Sequence, residues 1–577
     1  MLKLLPYLKG YRVKTILGPL FKLVEAILEL LVPVVVAKII DEAIPAGRAG
    51  DYSLLTKYGV YMLVLAAVGL LFALVAQYFA SRASMGFGTN LRKGLYEHIN
   101  TLSQADVDKF GAPSLMTRLV GDTTQCQQGV AMFIRLVTRA PFVVIGSIIM
   151  AITIAPKLSL IFIGASLLIA IILYFIMSHS FRAYGVARGL LDDVSLSVRE
   201  NLNGVRVIRA FSRGDREKAE FNRKNDKMTS ISIAIGNVSN LTNPASYAII
   251  NIAVILVLWL GGKQVYYGNL SQGSIIALVN YLTQIMIALA VLANLVVTFS
   301  RASASAKRIN EVFATPSSRL GGDGAAPDYS APAIEVKNLA FTYAGNSKST
   351  LSGINFTIEK GQTLGIVGGT GSGKSTLVQL IAGLYDVTDG EINLFGHPVS
   401  QYTVAEKNAL IGFAMQKSVL FSGTIKSNLL WRKPTASDDE LIAAIKTAQA
   451  YEFVSKKPGG LDEPVVEGGN NFSGGQKQRL NVARALVGKP DILILDDSSS
   501  ALDFATDAAL RKSLREDCKG MTTVVISQRA TSMQAMDLIL VMDDGAIVGA
   551  GTHSELLASC PEYREIYNSQ VAEEDRV

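Results

Sequence analysis

The feature that most constrains this chain is a set of long runs without a single charge. Residues 58–81, 158–178, 228–262 and 264–300 contain no Asp, Glu, Lys or Arg, and a shorter uncharged run, 140–156, follows Arg139. A helix needs about 20 apolar residues to cross hydrocarbon. In lipid only a helix or a closed barrel satisfies every backbone N–H and C=O. These runs are therefore read as spans. Residues 15–40 are counted as another, although Lys22, Glu25 and Glu29 interrupt the Leu, Ile and Val there. The expectation is six spans, an even number that returns the chain to its starting side.

The segments 82–135 and 179–227 are long and basic, the second carrying Arg188, Arg199, Arg206, Arg209, Arg213 and Arg216. The positive-inside rule places both segments, and both termini, in the cytoplasm. Their own pattern is helical, so they are expected to extend spans 2–5 beyond the bilayer. The net charge of +7 over 577 residues then belongs to cytoplasmic loops, and nucleic acid is not an expected partner. The start, MLKLLPYLKGYRVK, alternates basic and apolar residues. It reads as an interfacial helix and not as a cleaved leader. Cys126, Cys518 and Cys560 lack any motif spacing and read as reduced thiols, neither disulfides nor a metal site.

After residue 300 the character changes. The stretch TPSSRLGGDGAAPDYSAPA is rich in Gly, Pro, Ser and Ala and reads as a linker. The expected domains are 1–300 in the membrane, 301–332 as linker and 333–577 as a soluble α/β domain. LGIVGGTGSGKST at 364–376 is an apolar strand leading into Gly368-x-x-x-x-Gly373-Lys374-Ser375. Glycines let backbone N–H groups turn inward around phosphate oxygens, and the following helix adds its positive end. Lys374 would reach the β- and γ-phosphates and Ser375 would ligate Mg²⁺. Gly368, Gly371, Gly373, Lys374, Ser375 and Thr376 are the candidate phosphate-binding residues. Asp496, closing the apolar run ILIL at 492–495, is the second candidate metal anchor.

NFSGGQKQRLNVARAL at 471–486 begins with Ser-Gly-Gly, read as flexible, and continues as an amphipathic helix. Phe472–Gln476 resembles the signature motif of ATP-binding cassette transporters. The phosphate loop, this motif and the strand ending in Asp496 stand in that family's order. RENLNGVRVIRAF at 199–211 is similar to the long cytoplasmic loop of its exporters. The resemblance implies a six-helix all-α transmembrane domain followed by an α/β P-loop nucleotide-binding domain, using ATP and Mg²⁺, in a bacterial cytoplasmic membrane. It implies that Tyr343 stacks on adenine, that Gln416 senses Mg²⁺ and touches the membrane domain, and that Asp503 communicates across a dimer. It also implies that Ser473, Gly474, Gly475 and Gln476 face ATP held by a second half-transporter.

Two positions depart from the family pattern. Asp497 stands where active members carry the glutamate base, and Gln528, in TTVVISQRA, stands where they carry a γ-phosphate-contacting histidine. Aspartate is one methylene shorter, and orientation is a large part of phosphoryl transfer. Glutamine can hydrogen-bond but cannot carry histidine's charge. The binding residues are intact, so the expectation is a site that binds ATP and hydrolyses it poorly. This resembles the degenerate-site subunit of bacterial heterodimeric multidrug exporters. It implies a non-identical partner carrying Glu and His at those two positions.

Polar residues within spans are usually paired or functional. Glu25 and Glu29 share a helix face, Lys22 could neutralise Glu25, and the pair reads as structural or as cation-binding. Asn280, Gln284 and Asn294 could line a cavity or bond neighbouring helices. Phe162, Tyr174, Phe175, Tyr247 and Tyr281 offer aromatic surface or ordinary packing. An amphipathic small molecule is the implied cargo. A lipid, peptide or siderophore transporter, including an importer, and a nucleotide-gated regulatory subunit remain as alternatives.

Overall fold

The computed structural model describes residues 1–316, 322–498, 500–529 and 532–570. It divides into two compact units, Met1–Glu97 with Pro113–Ala314, and His98–Ala112 with Thr315–Val577.

The first unit is helical, built from α1 (Arg12–Lys38) and α2 (Ser53–Ile99), and from α4 (Ala112–Ile154), α5 (Pro156–Asn203), α6 (Gly214–Tyr266) and α7 (Gln272–Ala314). Among the described residues five stretches are long and apolar enough to cross a membrane: α2, α4, the first part of α5 (Pro156–Ile176), α6 and α7. α1 does not join these five, because Lys22, Glu25 and Glu29 interrupt it. Six was the expectation, and the run absent from the five is the one whose charges are paired. Lys22 Nζ lies 2.6 Å from Glu25 Oε2, and Arg139 lies 2.6 Å from Glu29. Pairing removes most of the penalty of holding charge among apolar helices. α4 widens into π-turns at Arg118–Asp122 and Phe133–Val137.

Phe162 and Tyr281 are buried in this unit's core, where Tyr281 donates to the Leu30 carbonyl at 2.7 Å. Tyr174, Phe175 and Tyr247 are exposed on this chain. The side chain of Asn294 lies outside the described residues. α7 continues past residue 300 to Ala314, because Ala302, Ala306, Ile309 and Val312 recur at helical spacing and are all buried. Part of the glycine-rich stretch beyond it is anchored as well. Gly322 and Gly324 donate to the carbonyls of Tyr402 and Gln401, and Asp328 donates to that of Phe395.

In the second unit a short helix, α3 (Gln104–Phe110), joins the soluble domain. That domain carries β1 (Ile334–Phe341), β2 (Leu351–Ile358), β3 (Thr363–Gly368), α8 (Lys374–Ile381), β4 (Asp389–Leu394) and β5 (Ile411–Ala414). It continues with α9 (Gly474–Leu486), β6 (Ile492–Asp496), α10 (Phe504–Asp517), β7 (Thr522–Ile526), β8 (Leu538–Asp543), β9 (Ala546–Gly551) and α11 (Pro561–Asn568). β2, β1 and β4 form an antiparallel sheet, with the pair His397–Pro398 at its edge. The main sheet runs β9-β8-β3-β7-β6-β5. All its neighbours are parallel except β8 and β9. Every residue of β6 is buried, as a parallel strand covered on both faces requires.

Register decides where the chemistry can sit. Ile366 of β3 pairs with Ile526 of β7, and Ile526 pairs with Asp496 of β6. The loops that follow these three strands therefore leave the sheet at one edge, the carboxyl end where open α/β sheets bind ligands.

Candidate functional site

The phosphate loop follows β3. Gly368 leaves no room for a side chain, since a Cβ there would meet the Met542 carbonyl oxygen at 2.1 Å. Gly373, the N-cap of α8, has φ +96°, and Gly371 likewise has positive φ. No side chain caps the N-terminus of α8, so its first N–H groups remain available to an anion.

Lys374 is buried and donates to the carbonyls of Gly368 (2.8 Å) and Gly369 (2.5 Å) and to Ser372 Oγ (3.2 Å). Burial lowers its pKa, while the nearby Asp497 and Asp496 act in the opposite direction. Ser375 Oγ donates to Asp496 Oδ1 at 2.9 Å, which brings together the two residues expected to anchor a metal. Thr376 Oγ1 lies 3.1 Å from the Tyr343 hydroxyl. The ring of Tyr343 stands edge-on to Phe341 and Tyr385, at centroid distances of 4.8 and 5.5 Å.

Asp497 is buried beside Asp496. Its N–H donates to the Ile526 carbonyl at 3.1 Å, and its carboxylate accepts from Gln416 Nε2 at 3.5 Å. Its backbone is left-handed, with φ +46°. Aspartate is among the few non-glycine residues that visit this region readily, whereas a longer acid there costs about 1 kcal/mol or more. Burial raises the pKa of both carboxyls. For Asp496 the Ser375 bond opposes that rise and the Asp497 charge adds to it. For Asp497 the Gln416 bond, Lys374 and Arg529 all oppose it. Ser375, Gln416 and Asp496 together offer hard oxygen donors of the kind that suit Mg²⁺.

Gln528, just past β7, has an exposed side chain, and its carbonyl accepts from Gln570 at 2.7 Å. The stretch Ser473–Gln476, read in the sequence as a flexible Ser-Gly-Gly, opens α9 with a defined cap. Ser473 caps α9 and accepts from the Gln476 N–H at 3.3 Å, while its own N–H donates to Gln476 Oε1 at 3.0 Å. Gly474 and Gly475 form the first turn of that helix. This reciprocal capping box supplies the local order. Asp503 caps α10 from one side only, accepting from the Thr506 N–H at 2.8 Å and from the Thr506 hydroxyl at 3.0 Å.

Two linking residues were missed in the sequence. Gln478, buried on α9, donates to Ser500 Oγ and accepts from the Ala501 N–H, both at 3.0 Å. Arg529 donates to the Leu502 carbonyl at 3.3 Å. Together they tie the signature helix and the end of β7 to the loop after Asp497. Nothing in GGQKQR marks its second glutamine as the buried one.

Residues 15–289 match the family described as the ABC transporter transmembrane region, and residues 351–500 match the one described as ABC transporter. An ABC transporter ATP-binding protein of Mycobacterium tuberculosis is 36% identical, over 98% of this chain and 97% of that one. A probable multidrug resistance ABC transporter ATP-binding/permease protein of Bacillus subtilis is 31% identical, over 98% and 96%. The solved structure of a bacterial Atm1-family ABC exporter with ATP bound is similar in fold. It has a TM-score of 0.82 at 23% identity and covers 97% of this chain and 100% of that one.

Proposed function

The chain belongs to the ATP-binding cassette transporter family, and from that premise we propose that it is the half of an exporter whose own site holds ATP without hydrolysing it well. The observation that carries this reading is Asp497, a short acid on a left-handed backbone at the base position, with its carboxylate turned to Gln416.

The chain's own residues divide the work as follows. The α8 end, Gly368, Gly371, Gly373, Lys374 and Thr376 grip the phosphates, and Tyr343 supports the adenine. Ser375, Gln416 and Asp496 hold Mg²⁺, whose role is to shield phosphate charge. Asp497 is too short to place water in line with a phosphorus, and Gln528 cannot supply a histidine's charge. Ser473, Gly474, Gly475 and Gln476 serve a second, non-identical half-transporter that carries Glu and His at these positions. Asp503 faces the same boundary, where nucleotide-dependent closure shifts the membrane helices between two states.

α1 is the sixth span. Its charges are neutralised by Lys22–Glu25 and Glu29–Arg139, so that it lies in the bilayer with both termini in the cytoplasm of a bacterium. The cargo is an amphipathic small molecule. The test is ATP turnover by the purified chain alone and together with a candidate partner from the same organism. The reading expects turnover from the pair and little from the chain alone; brisk turnover by the chain alone refutes it.

A further inference from the structure

The soluble domain holds a cavity of about 460 Å³ away from the phosphate loop. It lies between the later turns of α10, the turn Cys518–Met521, the segment Ser532–Met536 and the start of β3 and β7. Thr363 and Thr523, which pair across those two strands, mark that end of the sheet. The phosphate loop leaves β3 at its other end, after Gly368. None of the residues assigned to the nucleotide site lines the cavity.

The lining holds two kinds of side chain. Leu514, Met521, Val525 and Met536 are apolar. Arg511, Arg515 and Lys519 are cationic, and among the described residues no Asp or Glu lines the cavity. The neighbouring acids along the chain are engaged already. Asp507 pairs with Arg511 at 2.8 Å, and Glu516 faces Lys512 at 3.9 Å. Asp517 accepts from the Thr447 hydroxyl at 3.0 Å, and Asp537 accepts from the Thr363 N–H at 2.7 Å and its hydroxyl at 2.8 Å. Arg515 and Lys519 are exposed and outside any ion pair among the described residues. Ser532 belongs to the same lining. It is 4% exposed, and its Oγ has no hydrogen-bond partner among the described residues. A buried hydroxyl in that state is costly, and a ligand oxygen would relieve it. A volume of about 300–1,000 Å³ with apolar walls and a few placed polar groups is characteristic of a small-molecule site.

We propose that this cavity binds a single-chain amphipathic carboxylate. Its chain covers Leu514, Met521, Val525 and Met536, and its charge meets Arg515 and Lys519. A carboxylate has about four acceptor sites, enough for both cations and for Ser532. A cationic ligand would find no acid here, and a polyphosphate would leave the apolar wall uncovered. The ligand joins α10, the helix capped by Asp503, to the segment that follows Gln528.

The experiment is hydrogen–deuterium exchange in the full-length protein in lipid, with octanoate as the probe. Octan-1-ol supplies the same chain without charge, and butyrate the charge with little chain. Octanoate slows exchange of residues 511–521 and 532–537 saturably, about fivefold at about four times its dissociation constant. Octan-1-ol and butyrate at the same concentration leave both segments unchanged. Arg515→Gln with Lys519→Gln raises the octanoate concentration needed about tenfold, while ATP binding stays within about twofold. Arg515→Lys with Lys519→Arg keeps both charges and keeps the response. Ser532→Ala raises the concentration needed about threefold. Equal slowing by octan-1-ol overturns the proposal, since it marks apolar partition alone. So does an octanoate response undiminished by the two Gln substitutions, or no response in either segment.

Discussion

Two helix ends in the nucleotide domain are finished in opposite ways. α8 begins at Gly373, left-handed and without a side-chain cap. α9 begins at Ser473, closed by a capping box with Gln476. The first leaves its N–H groups open to an anion within its own chain. The second satisfies part of its own end and leaves Ser473 and Gly474 exposed. In the proposed reading the first takes a ligand of its own chain, and the second is set against a ligand held by a partner. Asp497 follows both in the chain, on a backbone that suits aspartate better than glutamate.

The contrast is best broken from the side with the larger effect. Lys374→Ala removes the buried cation of the α8 end and should weaken ATP binding by the purified chain about a hundredfold, read by equilibrium binding. Ser473→Ala should leave that binding within about twofold while cutting turnover of the assembled transporter about tenfold to a hundredfold. Loss of the cap should also lower stability by about 1 kcal/mol, read by thermal unfolding. If Ser473→Ala weakens ATP binding by the isolated chain as much as Lys374→Ala does, the two helix ends do not differ in the way drawn here.

Smaller effects sharpen the same picture. Arg139→Gln leaves Glu29 without its partner on α1, and an unpaired charge among apolar helices should cost about 1 kcal/mol at this half-exposed pair. The result should be a lower Tm in lipid, partly restored by Glu29→Gln in the same chain. Asp503→Ala should give the smallest change, and that change should depend on pH. The Thr506 N–H holds the Asp503 carboxyl below its ordinary pKa. The stabilisation is therefore fully present above the unfolded value of about 3.9 and fades as pH falls through the lower folded value. The Tm gap between wild type and variant should close over that acid range and stay constant near neutrality.

How much of this was legible in the sequence depended on distance along the chain. The phosphate loop and the run ending in Asp496 could be read because each is a local pattern, a strand followed by its own loop. Ser375 and Asp496 are each read as a metal anchor, and their direct bond at 2.9 Å agrees with that placement. The pairing of Glu29 with Arg139 followed from no motif, because the two are 110 positions apart. The Tyr385 hydroxyl donates to Asp108 Oδ2 at 2.5 Å across 277 positions, and no local pattern marks that bond. The linker was legible in composition but not in extent. Small residues mark both a flexible stretch and a tightly packed helix, and Ala302 and Ala306 are the latter. Ser-Gly-Gly reads as flexible for the same reason, and the reciprocal bonds of Ser473 and Gln476 that cap the helix are not visible in that composition. The left-handed backbone of Asp497 leaves no trace in sequence at all.

In the proposed reading Asp497 and Gln528 limit hydrolysis while binding stays intact. ATP turnover at this chain's own site, with the partner's site disabled, tests this for wild type and for Asp497→Glu combined with Gln528→His. Slow turnover is expected in the wild type and a rise of about a hundredfold in the double variant, with ATP affinity unchanged within about threefold. Rapid wild-type turnover that the double substitution leaves unaltered would refute the reading.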